Sequence, residues 1–170
     1  MQYRKMGNTG VSVSALGFGC MRFPLLEDGK TIDQAQAIGM LRNAIDAGMN
    51  YVDTAYFYHD QQSEPLVGKA LEDGYRDKVN LATKMPVFAM EKPEDFDIFL
   101  ENQLQRLQTD HIDFYLLHAL SRNTWRNKVL AFGLLDKMKK ARDEGKIRFL
   151  GFSFHDSEDA FLEILNGFDQ

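Results

Sequence analysis

The chain has 170 residues, 44% apolar and 26% charged, with a formal net charge of -5; this is the balance of a globular domain long enough to bury a core. No stretch concentrates Lys and Arg, since the nearest one, Lys137, Lys139, Lys140 and Arg142, is interrupted by Asp136, Asp143 and Glu144, and this excludes the basic face that phosphate backbones require. No apolar run approaches the ~20 residues that span a bilayer, the first residues lack an apolar signal core, and Cys20 is the one cysteine, so no internal disulfide forms and a reducing, cytoplasmic setting is expected.

In chain order, Gly7-Asn8-Thr9-Gly10 reads as a hairpin turn between two short runs. Five apolar, β-rich runs follow: Ala15–Gly19, Asn50–Thr54, Val79–Lys84, Ile112–His118 and Ile147–Ser153. Most are continuously apolar rather than alternating, as in parallel strands buried on both faces. The first helix opens with the capping box Thr31-Ile32-Asp33-Gln34, carries Ile38, Leu41, Ala44 and Ile45 on one face and stops at Gly48. A shorter helix carries Leu66, Ala70 and Leu71 before Gly74. The third starts at Pro93-Glu94-Asp95, with acids at the positive end of its dipole, and its stripe is Phe96, Leu100, Leu104 and Leu107. A fourth is expected from Val129 to Arg142, with Leu130, Leu134, Leu135 and Met138 inward and Gly145 after it. The fifth begins near Ser157-Glu158-Asp159 and buries Phe161, Ile164 and Leu165.

Five βα repeats satisfy two architectures, a TIM-type (β/α)8 barrel and an open doubly wound sheet. A hairpin before the first strand is unusual in the second and favours the barrel.

Residues with reactive side chains sit near the C-terminal end of each run: Cys20, Asp53, Lys84, His118 and Ser153, spaced 33, 31, 34 and 35 residues apart. Barrels place their active sites at that end of the strands. Singly, each has a plain structural explanation: Asp53 as a cap, Lys84 as a solvated strand end, His118 as a core histidine, Ser153 as the start of a turn. Three titratable groups ending three successive buried strands are harder to dismiss, because such groups need partners and here they supply one another. Tyr58 lies five residues beyond Asp53, beside two further aromatics, Tyr56 and Phe57. A free phenol, with a pKa of about 10, is too weak an acid to assist at neutral pH, and an ammonium nearby favours its ionised form.

Asp53-Thr54-Ala55-x-x-Tyr58, Ala82-Thr83-Lys84-Met85-Pro86, Asp113-Phe114-Tyr115-Leu116-Leu117-His118 and Gly151-Phe152-Ser153 resemble, in order and spacing, the successive motifs of the aldo-keto reductases. So do Leu16-Gly17-Phe18-Gly19-Cys20-Met21-Arg22 and Ser63-Glu64. The resemblance covers nearly the whole chain. It implies reduction of a small-molecule aldehyde or ketone by hydride from NADP(H), with NAD(H) as the alternative. In that scheme Tyr58 is the general acid, Lys84 tunes it, Asp53 holds Lys84 and His118 orients the carbonyl. The resemblance also places Asp53 near the nicotinamide ribose, Ser153 near the carboxamide, and Gly19, Cys20 and Met21 against cofactor and substrate.

Phe154 stands where the family commonly has Asn, which makes His155 a candidate for one carboxamide contact. Residues 1–170 correspond to the hairpin and the first five βα units, with the family's sixth to eighth strands and its adenosine-phosphate loop outside them. Gly17-Phe18-Gly19 is followed by Cys20-Met21-Arg22, so no Gly-x-Gly-x-x-Gly supplies a pyrophosphate site. Unpaired edges on a five-strand sheet lead to the expectation of self-association and of an inactive isolated chain. The alternative function is an inactive fragment or a regulatory or binding subunit on the same scaffold. Met21-Arg22-Phe23-Pro24 and Met85-Pro86-Val87-Phe88 are expected to form an apolar rim. The chain also resembles a bacterial branch whose longer members carry an iron–sulfur segment; no ligands for a metal or cluster are identified here.

Overall fold

A computed structural model of the chain describes residues 1–168. Strands β1 (Tyr3–Lys5) and β2 (Ser12–Ser14) form the expected hairpin, running from Tyr3↔Ser14 to Lys5↔Ser12. Gly7 and Gly10 take φ of +49° and +74° in its turn, where a Cβ would be strained.

The main sheet holds β3 (Phe18–Gly19), β4 (Tyr51–Asp53), β5 (Asn80–Met85), β6 (Ile112–Leu120) and β7 (Ile147–Phe154), all parallel and in sequential order. A doubly wound sheet reverses its strand order at a switch point. This sheet does not, so its architecture is part of an α/β barrel. Helices α1 (Gln34–Asp46), α2 (Ser63–Ala70) and α3 (Asp95–Leu107) pack in succession outside it, α1 on α2 and α2 on α3. Leu41, Leu66, Leu100 and Leu107 are buried between helices and strands. On the inner face the rings of Tyr51, Phe114 and Phe149 meet at 5.5 and 4.9 Å across three strands. Among the described residues no helix is long and apolar enough to cross a membrane.

The structure moves several boundaries. The ladder begins only at Phe18, because Asn50 binds the preceding segment itself: its Oδ1 accepts from Ser14 N at 2.7 Å and its N–H donates to Ser14 Oγ at 3.0 Å. Strand β6 runs past His118 to Leu120 through a register irregularity at which Ala119 has φ +51°. The N-cap of α1 is Asp33, whose carboxylate accepts from Gln36 N at 3.0 Å, rather than Thr31.

The expected fourth helix is two pieces. A short α4 (Arg122–Thr124) leads into a π-helical turn, Trp125–Leu130, and α5 (Leu134–Asp143) starts afresh after Gly133 at φ +63°. The break turns Leu130 outward, leaving it 53% exposed. In α6 (Glu158–Gly167) Ile164 and Ala160 are buried, Phe161 packs against Phe152 and Phe154 of β7 while staying 36% exposed, and Leu165 is exposed rather than buried.

Candidate active site

Lys84 is the centre of the polar cluster at the C-terminal ends of the strands. Strand alternation turns it to the inner face, and its side chain is 7% exposed. The ammonium donates to Asp53 Oδ1 at 2.6 Å, to the Thr54 carbonyl at 2.9 Å and to Tyr58 Oη at 3.1 Å. An ammonium has three donors and no acceptor, so all three are placed. The consequence falls on Tyr58. Its oxygen must accept from Lys84, and its own proton is left to be given elsewhere.

His118 stands edge-on to Tyr58, ring centroids 6.0 Å apart. Burial, and then the Lys84 charge, push its pKa down to about 4, so the imidazole is neutral at neutral pH. Its Nδ1 is enclosed with no hydrogen-bond partner among the described residues, which leaves Nε2 as the nitrogen able to meet a ligand. Ser153 Oγ accepts from the Ala119 N–H at 2.7 Å, and the hydroxyl proton remains available to an acceptor. His155 is exposed, and its backbone N–H is held by the Leu120 carbonyl at 3.0 Å. Phe154 turns its ring to Phe161 of α6, at 5.4 Å, and away from the inner face.

The first loop divides. Gly19 is exposed, and apart from its chain neighbours no atom of the described residues lies within 4 Å of where a Cβ would stand; Met21 is 52% exposed. Cys20 turns inward instead. Its side chain is in the core, burial holds its thiol well above the ordinary range, and its carbonyl accepts from Ser63 Oγ at 3.1 Å. A cofactor contact through the thiol is therefore closed off.

The expected apolar rim is also smaller than the sequence suggests, because Phe23, Met85 and Val87 are buried. Met21 and Phe88 remain, joined by Phe57. Phe88 lies against both His118 and Phe57, at 5.7 and 5.5 Å. Lys128 of the π-helical turn fixes this loop by donating to the Phe88 and Met90 carbonyls, each at 2.7 Å.

Two features were not evident from the sequence. Directly after Tyr58, three consecutive non-glycine residues are left-handed: His59, Asp60 and Gln61, with φ of +51°, +51° and +70°. Each costs roughly 1–2 kcal/mol, and such strain persists only where surrounding contacts impose it. The contacts are visible: His59 Nε2 accepts from Phe23 N at 2.9 Å and Gln61 Oε1 accepts from Arg106 Nη2 at 2.6 Å.

The second feature is a polar network behind β5, buried except for Arg106 at its edge. Glu64 accepts from Thr83 Oγ1 at 2.7 Å and from Gln103 Nε2 at 2.6 Å, with Arg106 at 3.4 Å. Gln103 also reaches the Lys84 carbonyl at 3.2 Å, and Tyr115 donates to Gln103 at 2.7 Å. Burial raises the Glu64 carboxyl above its usual range against the pull of these donors. Ser63-Glu64 is one of the family motifs, but the Glu64 partners Gln103 and Arg106, and Tyr115 behind Gln103, come from elements distant in sequence.

A parallel barrel sheet with Asp, Tyr, Lys and His gathered at the carboxyl ends of its strands is the arrangement of a barrel enzyme. The Aldo/keto reductase family model matches residues 15–161, and the chain belongs to that family. Aldo-keto reductase YhdN of Bacillus subtilis (strain 168) is 35% identical in an alignment 162 residues long that covers 90% of this chain and 47% of that protein. Among solved structures, the holo form of aldo-keto reductase AKR11C1 from Bacillus halodurans superposes with a TM-score of 0.80 at 29% identity, over 98% of this chain and 54% of that one. An aldo/keto reductase from Klebsiella pneumoniae, crystallised with NADP and acetate, gives 0.71 at 32% identity, over 92% and 50%. The chain spans about half the length of the relatives it matches.

Proposed function

We propose that these residues form the proton-delivering part of an active site that reduces an aldehyde or ketone to an alcohol with NADP(H). The observation that carries this reading is the saturation of the Lys84 ammonium by Asp53, Thr54 and Tyr58. It makes the Tyr58 phenol an acceptor from Lys84 and a donor toward the pocket, and it stabilises the charge left on Oη when the proton moves. Neutral His118 supplies Nε2 to the same carbonyl oxygen and orients it. Phe57, Phe88 and Met21 present apolar surface to the rest of the substrate.

The choice of NADP(H) draws on the NADP held by the Klebsiella pneumoniae relative. The residues fit such a group. The space above Gly19 is open, Asp53 keeps Oδ2 outside its bond to Lys84, and Ser153 has a proton to give to a carboxamide oxygen. When bound, the nicotinamide supplies the hydride. Closing an eight-strand barrel takes three strands more than this sheet has, from a longer chain or a second polypeptide; the isolated 170-residue chain is expected to self-associate and to lack turnover.

The test is NADPH oxidation against a panel of aldehydes by protein carrying these residues. Tyr58→Phe is expected to lower turnover by about 10²- to 10⁴-fold, the usual worth of a positioned general acid. Turnover untouched by that change would remove Tyr58 from the mechanism. Cofactor binding with no reduction of any aldehyde would favour a regulatory subunit on the same scaffold.

A further inference from the structure

We infer that His59 is a positioning residue: it latches the strained turn behind Tyr58 to the first loop, so that the phenol and the wall made by residues 20–23 hold one mutual placement. The inference rests on the reading of Tyr58 as proton donor, but it concerns a residue that neither the family motifs nor the charge cluster points to. Three left-handed residues in a row without glycine do not hold themselves. The side chains of this turn are spent on holding it. His59 takes the Phe23 N–H at 2.9 Å and lays its ring 5.9 Å from that of Phe23. Gln62 takes the Ile32 N–H at 3.1 Å and gives a proton to the Lys30 carbonyl at 3.1 Å. Gln61 is bound by Arg106, which also meets Glu64. The turn is thus tied on one side to the loop that follows β3 and on the other to α3.

The bond to Phe23 fixes the chemistry of the latch. A backbone N–H can donate only to an unprotonated ring nitrogen, so His59 must be neutral with its proton on Nδ1. The charged groups facing it are Arg22 and Asp60. Burial and Arg22 together lower its pKa from the ordinary value against the smaller opposing pull of Asp60, which keeps the latch closed at neutral pH. Protonation of Nε2 replaces an acceptor by a donor facing the Phe23 N–H, and the two separate.

Aromatic NMR of the protein labelled at Tyr and His reads the placement directly, through the cross-peak between the Tyr58 and His118 rings; hydrogen exchange of the Phe23 amide reads the latch. His59→Phe keeps the ring and loses the acceptor. It is expected to abolish protection of the Phe23 amide and to weaken or split the Tyr58–His118 cross-peak. His59→Gln carries an amide oxygen to the position of Nε2 and is expected to restore both. In the wild type both signals should fade together as pH drops through the His59 titration; in His59→Gln the amide's pH dependence should vanish and the cross-peak should change only with the His118 titration toward 4. A Tyr58–His118 cross-peak unchanged in His59→Phe, or an acid-induced loss identical in wild type and His59→Gln, would overturn the inference. Should His59→Phe not fold, the comparison of wild type with His59→Gln across pH still decides. Neither readout uses cofactor or substrate, so failure of the reductase reading and failure of the latch are separately visible.

Discussion

The two flanks of the sheet are built to different tolerances. Behind β5, α2 and α3 come within backbone contact: a Cβ on Gly68 would stand 2.6 Å from the Arg106 carbonyl oxygen, and Phe96, Tyr115, Gln103 and Glu64 are all buried. Beside β7, α6 leaves Phe161, Leu162 and Leu165 between 36% and 49% exposed, and most of the β7 side chains are only half-buried. The difference teaches where the chemistry is anchored. Lys84, whose three bonds define the site, has its own carbonyl held by Gln103 of the tight flank, whereas Ser153 belongs to the strand bordering the loose one.

The largest expected effect tests that contrast by deletion. Phe96→Ala should destabilise the fold by about 3–5 kcal/mol, the range for a buried aromatic. Phe161→Ala, at a position already 36% exposed, removes ring contacts with Phe152 and Phe154 and should cost less, about 1–3 kcal/mol. Urea unfolding of the two variants measures both, and equal losses would erase the distinction. A smaller effect sharpens it. Thr83→Val keeps the shape but takes a donor from buried Glu64, at an expected cost of about 1–3 kcal/mol, with loss of order at Lys84 visible in its side-chain NMR signal.

The smallest effect has opposite signs in two places. The His118 pKa is lowered from 6.5 to about 4; the unfolded chain takes up that proton first, so the contribution of His118 is complete above pH 6.5 and is lost as the pH falls toward 4. Glu64 is raised from 4.5; its contribution is complete below that value and declines as the pH rises through the native titration. Unfolding midpoints across this acid range should therefore flatten on one side in His118→Gln and on the other in Glu64→Gln. Identical profiles in both variants would show that neither group governs the dependence.

Much of the site was readable because a barrel converts sequence period into spatial neighbourhood: Asp53, Lys84 and His118 recur at one strand end, and strand alternation points them to one face. What resisted reading lacked a local signal. The turn at 59–61 contains no glycine to announce its left-handed backbone. The fourth helix presents a continuous apolar stripe, yet the π-helical turn and Gly133 rotate Leu130 away from it. A stripe on α6 identifies an apolar face without saying what covers it. Cys20 follows a strand of only two residues, too short for alternation to fix which way its thiol turns.

The irregularity in β6 has a mechanical consequence. Ala119, with its φ of +51°, hands its amide to Ser153 at 2.7 Å, and the peptide next to His118 is thereby riveted to the neighbouring strand. Ser153 and His118 are thus joined by one hydrogen bond and one peptide unit, a link that passes through no loop.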